Sequence, residues 1–180
     1  MTKIVTPKIP AIFFDRDGVL NIDKGYVFKK DDFIWVDGAR EALALTCAKG
    51  YLAIVVTNQS GIARGFYTLD DMHHLHDWMT QDILGFNARI DGFYFCPYHS
   101  EGSVIEYVVP DHPDRKPNPG MLLRAIAEHG IDPATSLMVG DQDSDVTAAE
   151  RAGVSGLKTT GGRLDDAIAP WLAGLPAQRR

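Results

Sequence analysis

Short apolar runs alternate with amphipathic helical stretches along this chain, and that alternation limits the possible folds more than any other feature. The apolar runs have the length of strands and cover residues 9–14, 51–56, 90–95, 137–139 and 156–159. Hydrophobic side chains recur at helical spacing over 39–49, 68–84, 119–129 and 144–152. Such an alternation favours a parallel sheet with helices on both faces. We therefore expect an α/β protein with a doubly wound sheet of about five or six strands.

The chain length predicts one domain over 1–180, because 180 residues is close to the usual size of a single domain. Two segments, about 18–37 and 96–117, are longer than the loops of a compact α/β unit, and loops of that length tend to be functional. Each follows a predicted strand, at the edge where open parallel sheets bind ligands. We expect these two loops to determine specificity.

Charge and cysteine content narrow the class of protein. The chain has 18 basic and 24 acidic residues, a net charge of −6, whereas a nucleic-acid partner would require clustered Lys and Arg. Two cysteines fit a reducing compartment better than a disulfide framework. No apolar run reaches the roughly 18 residues that cross a bilayer. We expect a cytoplasmic monomer without a nucleic-acid or membrane partner.

The first polar motif follows the first predicted strand directly. Asp15 and Asp17 come one and three residues after Phe14, and Gly18 allows a sharp turn behind them. If the strand period of two continues, the two carboxylates project to one side and Arg16 points away. Alone, this motif is more often a turn or a helix cap than a catalytic site.

Three further motifs lie at the ends of predicted elements. Thr57 ends the second strand, Lys116 precedes a helix, and Asp141 follows the fourth strand. Each has an ordinary explanation as turn chemistry or as a helix cap. Structural roles alone do not readily explain why all of these motifs occur in this order with helices between them. We expect the side chains to converge at the carboxyl edge of the sheet.

Converging carboxylates and one lysine point to phosphoryl chemistry. Clustered carboxylates repel one another unless a cation neutralises them, and oxygen ligands that leave room for water favour Mg²⁺. Asp15 could attack phosphorus in line and form an aspartyl-phosphate. Asp17 could protonate the leaving alkoxide and then accept a proton from water. Thr57, Lys116 and Mg²⁺ would stabilise the equatorial oxygens of the phosphoryl group.

A receiver domain of a signalling protein is the alternative from a different functional class, because it also combines a phosphorylated Asp with Thr and Lys on such a sheet. Its acceptor Asp lies on a middle strand, whereas Asp15 and Asp17 open this chain. The presence of Asp17 also predicts rapid turnover of the phosphoryl group. A catalytically inactive phosphate binder is disfavoured, because every required group is present.

Four strings carry a family resemblance over about residues 11–160, and they are FFDRDGVLN, DKGYV, VVTNQSGIARGFY and RKPNPGM. They resemble the haloacid dehalogenase (HAD) superfamily of phosphatases and, within it, the D-glycero-D-manno-heptose 1,7-bisphosphate 7-phosphatase family. The resemblance implies a HAD-like, Rossmann-like fold with a minimal cap. It also implies Mg²⁺-dependent removal of the 7-phosphate from that bisphosphate. The alternative substrate is histidinol phosphate or another sugar phosphate.

The same resemblance implies roles for individual residues. Asp15 would be the nucleophile and Asp17 the acid/base, with Thr57 and Lys116 in the second and third motifs. Mg²⁺ would be bound by Asp15, Asp141 and the backbone carbonyl of Asp17, with Asp145 outside the direct ligands. The residues implied to lie by the substrate are Asp23, Lys24, Gly25, Tyr26, Asn58, Gln59, Ser60, Arg115 and Gln142.

One segment departs from the family pattern. The family commonly holds a structural zinc on Cys-x-His and Cys-x-Cys, but residues 96–98 here read CPY and residues 112–114 read HPD. Cys96, His99 and His112 remain as a shifted candidate set, with a spacing that does not fit a closed tetrahedral site. We expect no zinc. We expect the loop to be held by packing of Val104, Ile105, Tyr107 and Val108.

Three histidines, His73, His74 and His76, invite a metal hypothesis on the helix predicted at 68–84. They lie off its apolar stripe of Met72, Leu75, Met79 and Ile83. We therefore expect them on a solvated helix face.

Overall fold

The computed structural model describes residues 8–174, so both ends of the domain predicted at 1–180 lie outside the described residues. The strands are β1 (Ala11–Phe14), β2 (Leu52–Asn58), β3 (Gly92–Cys96), β4 (Leu137–Gly140) and β5 (Ser155–Lys158). The α-helices are α1 (Ala39–Ala48), α2 (Leu69–Asp82), α3 (Gly120–His129), α4 (Asp143–Arg151) and α5 (Leu164–Gly174). Among these helices, none has the length and apolar character needed to cross a membrane.

The five strands form one parallel sheet in the order β3-β2-β1-β4-β5. Central β1 pairs with β2 on one side and with β4 on the other. The chain therefore runs outward from β1 to β3 and then returns to the other side of β1. A reversal of this kind opens a crevice at the carboxyl ends of the central strands. The predicted doubly wound α/β sheet is confirmed, with five strands.

The alternation of side chains along β1 buries both faces of the sheet. Ile12 and Phe14 belong to a core cluster with residues of α1, α2 and α5. Ala11 and Phe13 belong to a second cluster with residues of α3 and α4. All four side chains of this strand are fully buried. Helices thus cover both faces, and the strand ends are the exposed part of the sheet that can bind a ligand.

Two helices differ from the sequence-based prediction. The helix predicted at 68–84 begins after its capping residue Thr68 and passes at its end into a short 3-10 turn, Ile83–Phe86. The helical patterns identified in the sequence end at residue 152, and the structure adds α5 after β5. Its buried residues Leu164, Ile168 and Leu172 recur every four positions, which is a helical signal that Pro170 disguises.

The loop at 96–117 is held differently from the prediction. Ile105 is 80% exposed, so its predicted packing role is wrong. Tyr98 stacks on His112 with ring centroids 4.0 Å apart, and Tyr107 packs against a small buried cluster that includes Tyr67. Of the four residues expected to hold the loop, only Ile105 is exposed, and Val104, Tyr107 and Val108 are partly buried.

Candidate active site

The carboxyl ends of β1, β2 and β4 surround an open cavity of about 240 Å³. Asp15 follows β1, Thr57 lies in β2 and Asp141 follows β4, while Lys116 enters from the segment before α3. The full lining is Asp15, Asp17, Asp23, Thr57, Asn58, Lys116, Asp141, Gln142, Ser144 and Asp145. The four sequence motifs thus meet at one place.

Lys116 is the buried cation of this site. Its Nζ lies 2.9 Å from Asp15 Oδ1 and 2.7 Å from Asp145 Oδ1. It also donates a hydrogen bond to the carbonyl of Val56 at 2.9 Å, so all three ammonium donors have partners. Burial alone would lower the pKa of Lys116, but the two carboxylates raise it above its usual value. Lys116 therefore stays charged beside Asp15.

Asn58 fixes the backbone of Lys116 at the end of β2. Its Nδ2 donates to the Lys116 carbonyl at 3.1 Å, and the Lys116 N–H donates to Asn58 Oδ1 at 3.1 Å. The two bonds join segments that lie 58 residues apart in the sequence. Asn58 also lines the cavity, so this residue both faces the cavity and holds its lysine in place.

The carboxyl group of Asp15 has a pKa well above its usual value. Burial raises its pKa to about 7, Lys116 opposes this rise, and the nearby Asp145 adds to it. One oxygen each of Asp15, Asp141 and Asp145 lie within 4.8 Å of one another. Without a further positive charge, the anionic form of Asp15 is disfavoured at this position.

The acidic cluster fits a divalent cation. Asp141 Oδ1 is buried and has no hydrogen-bond partner within residues 8–174. Asp145 differs, because one of its oxygens accepts from Gln142 N–H and the other pairs with Lys116. Asp15 and Asp141 therefore offer oxygens to a hard cation such as Mg²⁺, while Asp145 is already engaged. The expectation that Asp145 lies outside the direct ligands stays a prediction.

Asp17 is held by donors on three sides. Arg16 Nη2 approaches Asp17 Oδ2 at 2.9 Å, Gln59 Nε2 donates to Oδ2 at 3.0 Å, and Asn21 Nδ2 donates to Oδ1 at 3.0 Å. Asp15 and Asp17 line the cavity and Arg16 does not, as expected, but the Arg16 guanidinium reaches Asp17 from behind, which the strand period does not indicate. Arg16 is a fully buried support for this carboxylate.

His76 supports Arg16 from α2. Its Nε2 lies 3.2 Å from Arg16 Nη1, and its ring stacks on Phe93 at 4.3 Å. Burial and the Arg16 charge keep the pKa of His76 well below its usual value, so the ring is neutral and Nε2 accepts the bond. The expected solvated position is correct for His73 and His74 but wrong for buried His76. Its place four residues after buried Met72 is the helical signal that could have indicated this.

The other predicted substrate-binding residues divide into two groups. Asp23 and Gln142 line the cavity, and so does Ser144, which the sequence analysis did not identify. Ser144 lies in the first turn of α4, and this place after Asp141 is its only sequence signal. The predicted residues that lie outside the cavity lining are Lys24, Gly25, Tyr26, Gln59, Ser60 and Arg115.

Three of these residues have other contacts. Tyr26 packs edge-to-face on Phe66 with ring centroids 4.6 Å apart. Arg115 is half-buried and donates to the Tyr98 carbonyl at 3.2 Å. Gln59 is 1% exposed, and its side chain bonds to residues of the cavity from behind.

The three zinc candidates are not assembled as a ligand set in the part of the chain that the structure describes. The Cys96 thiol donates to the Tyr98 carbonyl, and burial raises the pKa of this thiol to about 11. His99 Nε2 contacts Arg64, while His112 Nδ1 accepts from the Asp114 N–H. Each group thus has a partner other than a metal.

Replacing Gly18 by Ala is expected to weaken binding of a divalent cation by about 10-fold or more. The position has φ +88°, and a Cβ there would lie 2.4 Å from Asp141 Oδ2, so this carboxylate would have to move. Calorimetric titration with Mg²⁺ or Mn²⁺ measures the affinity. The matched control is Gly50→Ala, which has φ +80° but nothing within 4 Å of the new Cβ. Equal affinities in the two variants would contradict the placement of the cation beside Asp141.

Comparisons with known proteins support the same kind of chemistry. Residues 114–171 match the model of a protein family described as "HAD-hyrolase-like". The D-glycero-alpha-D-manno-heptose-1,7-bisphosphate 7-phosphatase of Burkholderia mallei is 49% identical over 144 residues, which cover 80% of this chain and 76% of that protein. The D-glycero-beta-D-manno-heptose-1,7-bisphosphate 7-phosphatase of Pasteurella multocida is 51% identical over 142 residues, or 79% of this chain and 76% of that protein.

A solved structure extends this similarity to the fold. The D,D-heptose 1,7-bisphosphate phosphatase of B. bronchiseptica, complexed with magnesium and phosphate, matches with a TM-score of 0.76 and 29% identity. The match covers 93% of this chain and 89% of that one.

Proposed function

We propose a substrate and a mechanism on the premise that this chain belongs to the D-glycero-D-manno-heptose-1,7-bisphosphate 7-phosphatase family of the HAD superfamily, with relatives at 49% and 51% identity. The chain is accordingly a HAD phosphatase, and a phosphate ester is its substrate. The proposed substrate is D-glycero-D-manno-heptose 1,7-bisphosphate, which loses its 7-phosphate. The receiver-domain alternative is not favoured, because the relatives are enzymes that hydrolyse a phosphate ester.

The observation that carries the mechanism is the position of Asp15. Its carboxylate follows central β1, lines the cavity and lies 2.9 Å from a buried ammonium group. The acidic cluster supports a metal-dependent enzyme, and we infer that the metal is Mg²⁺, held by Asp15, Asp141 and the backbone carbonyl of Asp17. When bound, Mg²⁺ supplies positive charge that offsets the repulsion between the carboxylates and a phosphate dianion.

The proposed reaction has two steps. In the first, an oxygen of Asp15 attacks phosphorus, a P–O bond to Asp15 forms, and the P–O bond to the sugar breaks. Asp17 enters this step protonated and gives its proton to the departing alkoxide. In the second, Asp17 takes a proton from water, the water oxygen attacks phosphorus, and Asp15 is released with inorganic phosphate. Lys116 and Thr57 hold the phosphoryl oxygens during both steps.

Specificity is proposed to reside in the two long loops of a single domain with a minimal cap. Asp23, in the segment 18–37, lies at the cavity, and this position supports contact with the sugar. Direct contacts from the predicted residues outside the cavity lining stay predictions. The expectations of a monomer and of a cytoplasmic location also stay predictions.

The substrate assignment predicts that kcat/KM for the heptose bisphosphate exceeds that for histidinol phosphate by about 100-fold or more. The comparison should use both anomers, because the relatives named above differ in the anomer that they act on. Phosphate release measures the rate, and phosphorus NMR of the product identifies which phosphate has left. A preference for histidinol phosphate would overturn the heptose assignment while leaving the phosphatase chemistry in place.

A further inference from the structure

A chain of hydrogen bonds connects Tyr67 to the cavity through Gln59. The Tyr67 hydroxyl donates to Gln59 Oε1 at 2.5 Å. The Gln59 amide Nε2 then donates to Thr57 Oγ1 at 2.8 Å and to Asp17 Oδ2 at 3.0 Å. Gln59 is 1% exposed and Tyr67 is 6% exposed, so bulk water does not compete for these bonds.

Tyr67 determines which way the Gln59 amide faces. A primary amide can rotate by half a turn, which exchanges its oxygen with its two N–H donors. In the observed orientation the oxygen has a donor in the Tyr67 hydroxyl, and both N–H groups have acceptors. Burial raises the pKa of Tyr67 above its usual value, so this hydroxyl keeps its proton over the working pH range. The reversed amide would place its oxygen against the Asp17 carboxylate, where two acceptors repel.

The orientation of this amide affects both residues that it contacts. Thr57 Oγ1 accepts from Gln59, and a hydroxyl that accepts one bond can still donate its own proton to a second partner. Because Thr57 lines the cavity, that proton is available to a phosphoryl oxygen. Asp17 Oδ2 is fixed by the same amide, together with Arg16.

Tyr67 does not line the cavity that holds Asp15 and Lys116. Its ring stacks on Phe28 with centroids 5.0 Å apart, and this contact does not involve the hydroxyl. The hydroxyl and the ring therefore have separable roles, because Phe would keep the stacking and remove only the hydroxyl, which also has a hydrogen bond with the Gly61 backbone.

We propose that Tyr67 is a positioning residue for proton transfer, acting through Gln59 on Asp17. The inference rests on the proposed function, which makes Asp17 the proton donor to the leaving group. Misplacing Asp17 harms the cleavage of esters whose leaving group needs a proton. An aryl ester with an acidic phenol leaves without one and is affected much less.

The test is Tyr67→Phe, assayed by kcat/KM on the heptose bisphosphate and on p-nitrophenyl phosphate. We expect kcat/KM to fall about 10-fold on the sugar ester and less than about 2-fold on the aryl ester. The 10-fold loss is a part of the roughly 10²–10⁴-fold rate enhancement that acid–base catalysis contributes. The matched control is Tyr94→Phe, which removes the hydroxyl of another buried tyrosine, bonded to the side chain of Glu128 on the far side of the sheet. It should change neither value. Equal losses on the two esters would show a merely structural role and overturn the proposal.

A second variant tests the route through Gln59. Gln59→Met should give the same unequal losses, and adding Tyr67→Phe to it should cause little further change, because the amide is already gone. Losses that multiply in the double variant would mean that Tyr67 acts by another route, against the proposal. The comparison between an alkyl ester and an aryl ester works with any alkyl phosphate that the parent hydrolyses. An error in the proposed sugar substrate therefore does not affect this test. A parent that cleaves no phosphate ester would overturn the inference together with the proposed function.

Discussion

Replacement of Asp15 by Asn is expected to abolish phosphate release, with a loss of about 10⁴-fold or more, while the protein stays folded. The amide nitrogen or oxygen of Asn is a poor nucleophile, so no ester to phosphorus forms at this position. Asn has nearly the same volume as Asp, and Lys116 keeps its contact with Asp145 at 2.7 Å. Phosphate release at saturating Mg²⁺ measures the loss, and intact-protein mass spectrometry should detect no phosphorylated chain in rapidly quenched samples.

The control for this substitution is Asp143→Asn, which removes an exposed carboxylate in the first turn of α4, where it pairs with Lys158. It should retain most of the activity. More than trace activity in Asp15→Asn, with the folded state verified by circular dichroism, would refute the nucleophile assignment.

Replacement of Lys116 by Met is expected to lower kcat by about 10²–10³-fold and to destabilise the protein by about 3 kcal/mol at neutral pH. The lysine is 4% exposed, and its removal leaves the carboxylates of Asp15 and Asp145 without their shared positive charge. Phosphate release measures kcat, and urea unfolding with a chelator present measures the free energy of unfolding. Lys158→Met, which breaks an exposed pair with Asp143, should cost less than about 1 kcal/mol.

The loss in Lys116→Met should depend on pH in a defined direction. The pKa of Asp15 in the folded protein is already raised from 3.8 to about 7, and Lys116 is the charge that opposes this rise. Without Lys116 the folded state binds the Asp15 proton even more tightly than the unfolded chain does, so stability falls as pH rises above about 4. Up to about pH 7 the folded parent also keeps the Asp15 proton, so both proteins lose stability with the same slope. The difference from the parent should therefore stay nearly constant below pH 7 and grow as the pH rises above it, where Asp15 ionises in the parent but not in the variant. A difference independent of pH would contradict the assigned coupling between Lys116 and Asp15.

The sequence alone was sufficient to predict the parts of the site that follow buried strands. Asp15, Thr57 and Asp141 each come at the end of an apolar run, and parallel strands bring such ends together whatever the details of packing. Lys116 required one more step, because its position depends on where the segment before α3 returns to the sheet. The bonds between Lys116 and Asn58 that fix this return join distant segments, and no local pattern predicts them.

The supports of Asp17 could not be predicted in the same way. The strand period places Arg16 away from the cavity, but it does not indicate that the guanidinium binds Asp17 from behind. His76 reaches Arg16 from a helix 60 residues away, and Gln59 reaches Asp17 from the end of β2. Whether a polar residue is a buried support or a surface group depends on tertiary packing, which hydrophobic periodicity describes only on average.

The central position of β1 has a consequence for how the protein loses its activity. Because β1 is hydrogen-bonded on both edges and buried on both faces, the backbone that carries Asp15 can open only when the sheet itself comes apart. We expect gentle heating or low denaturant to open exposed segments such as 22–26 first and to leave this backbone intact. A partly inactivated sample therefore holds molecules whose nucleophile is still in place, and cooling restores them without refolding of the core.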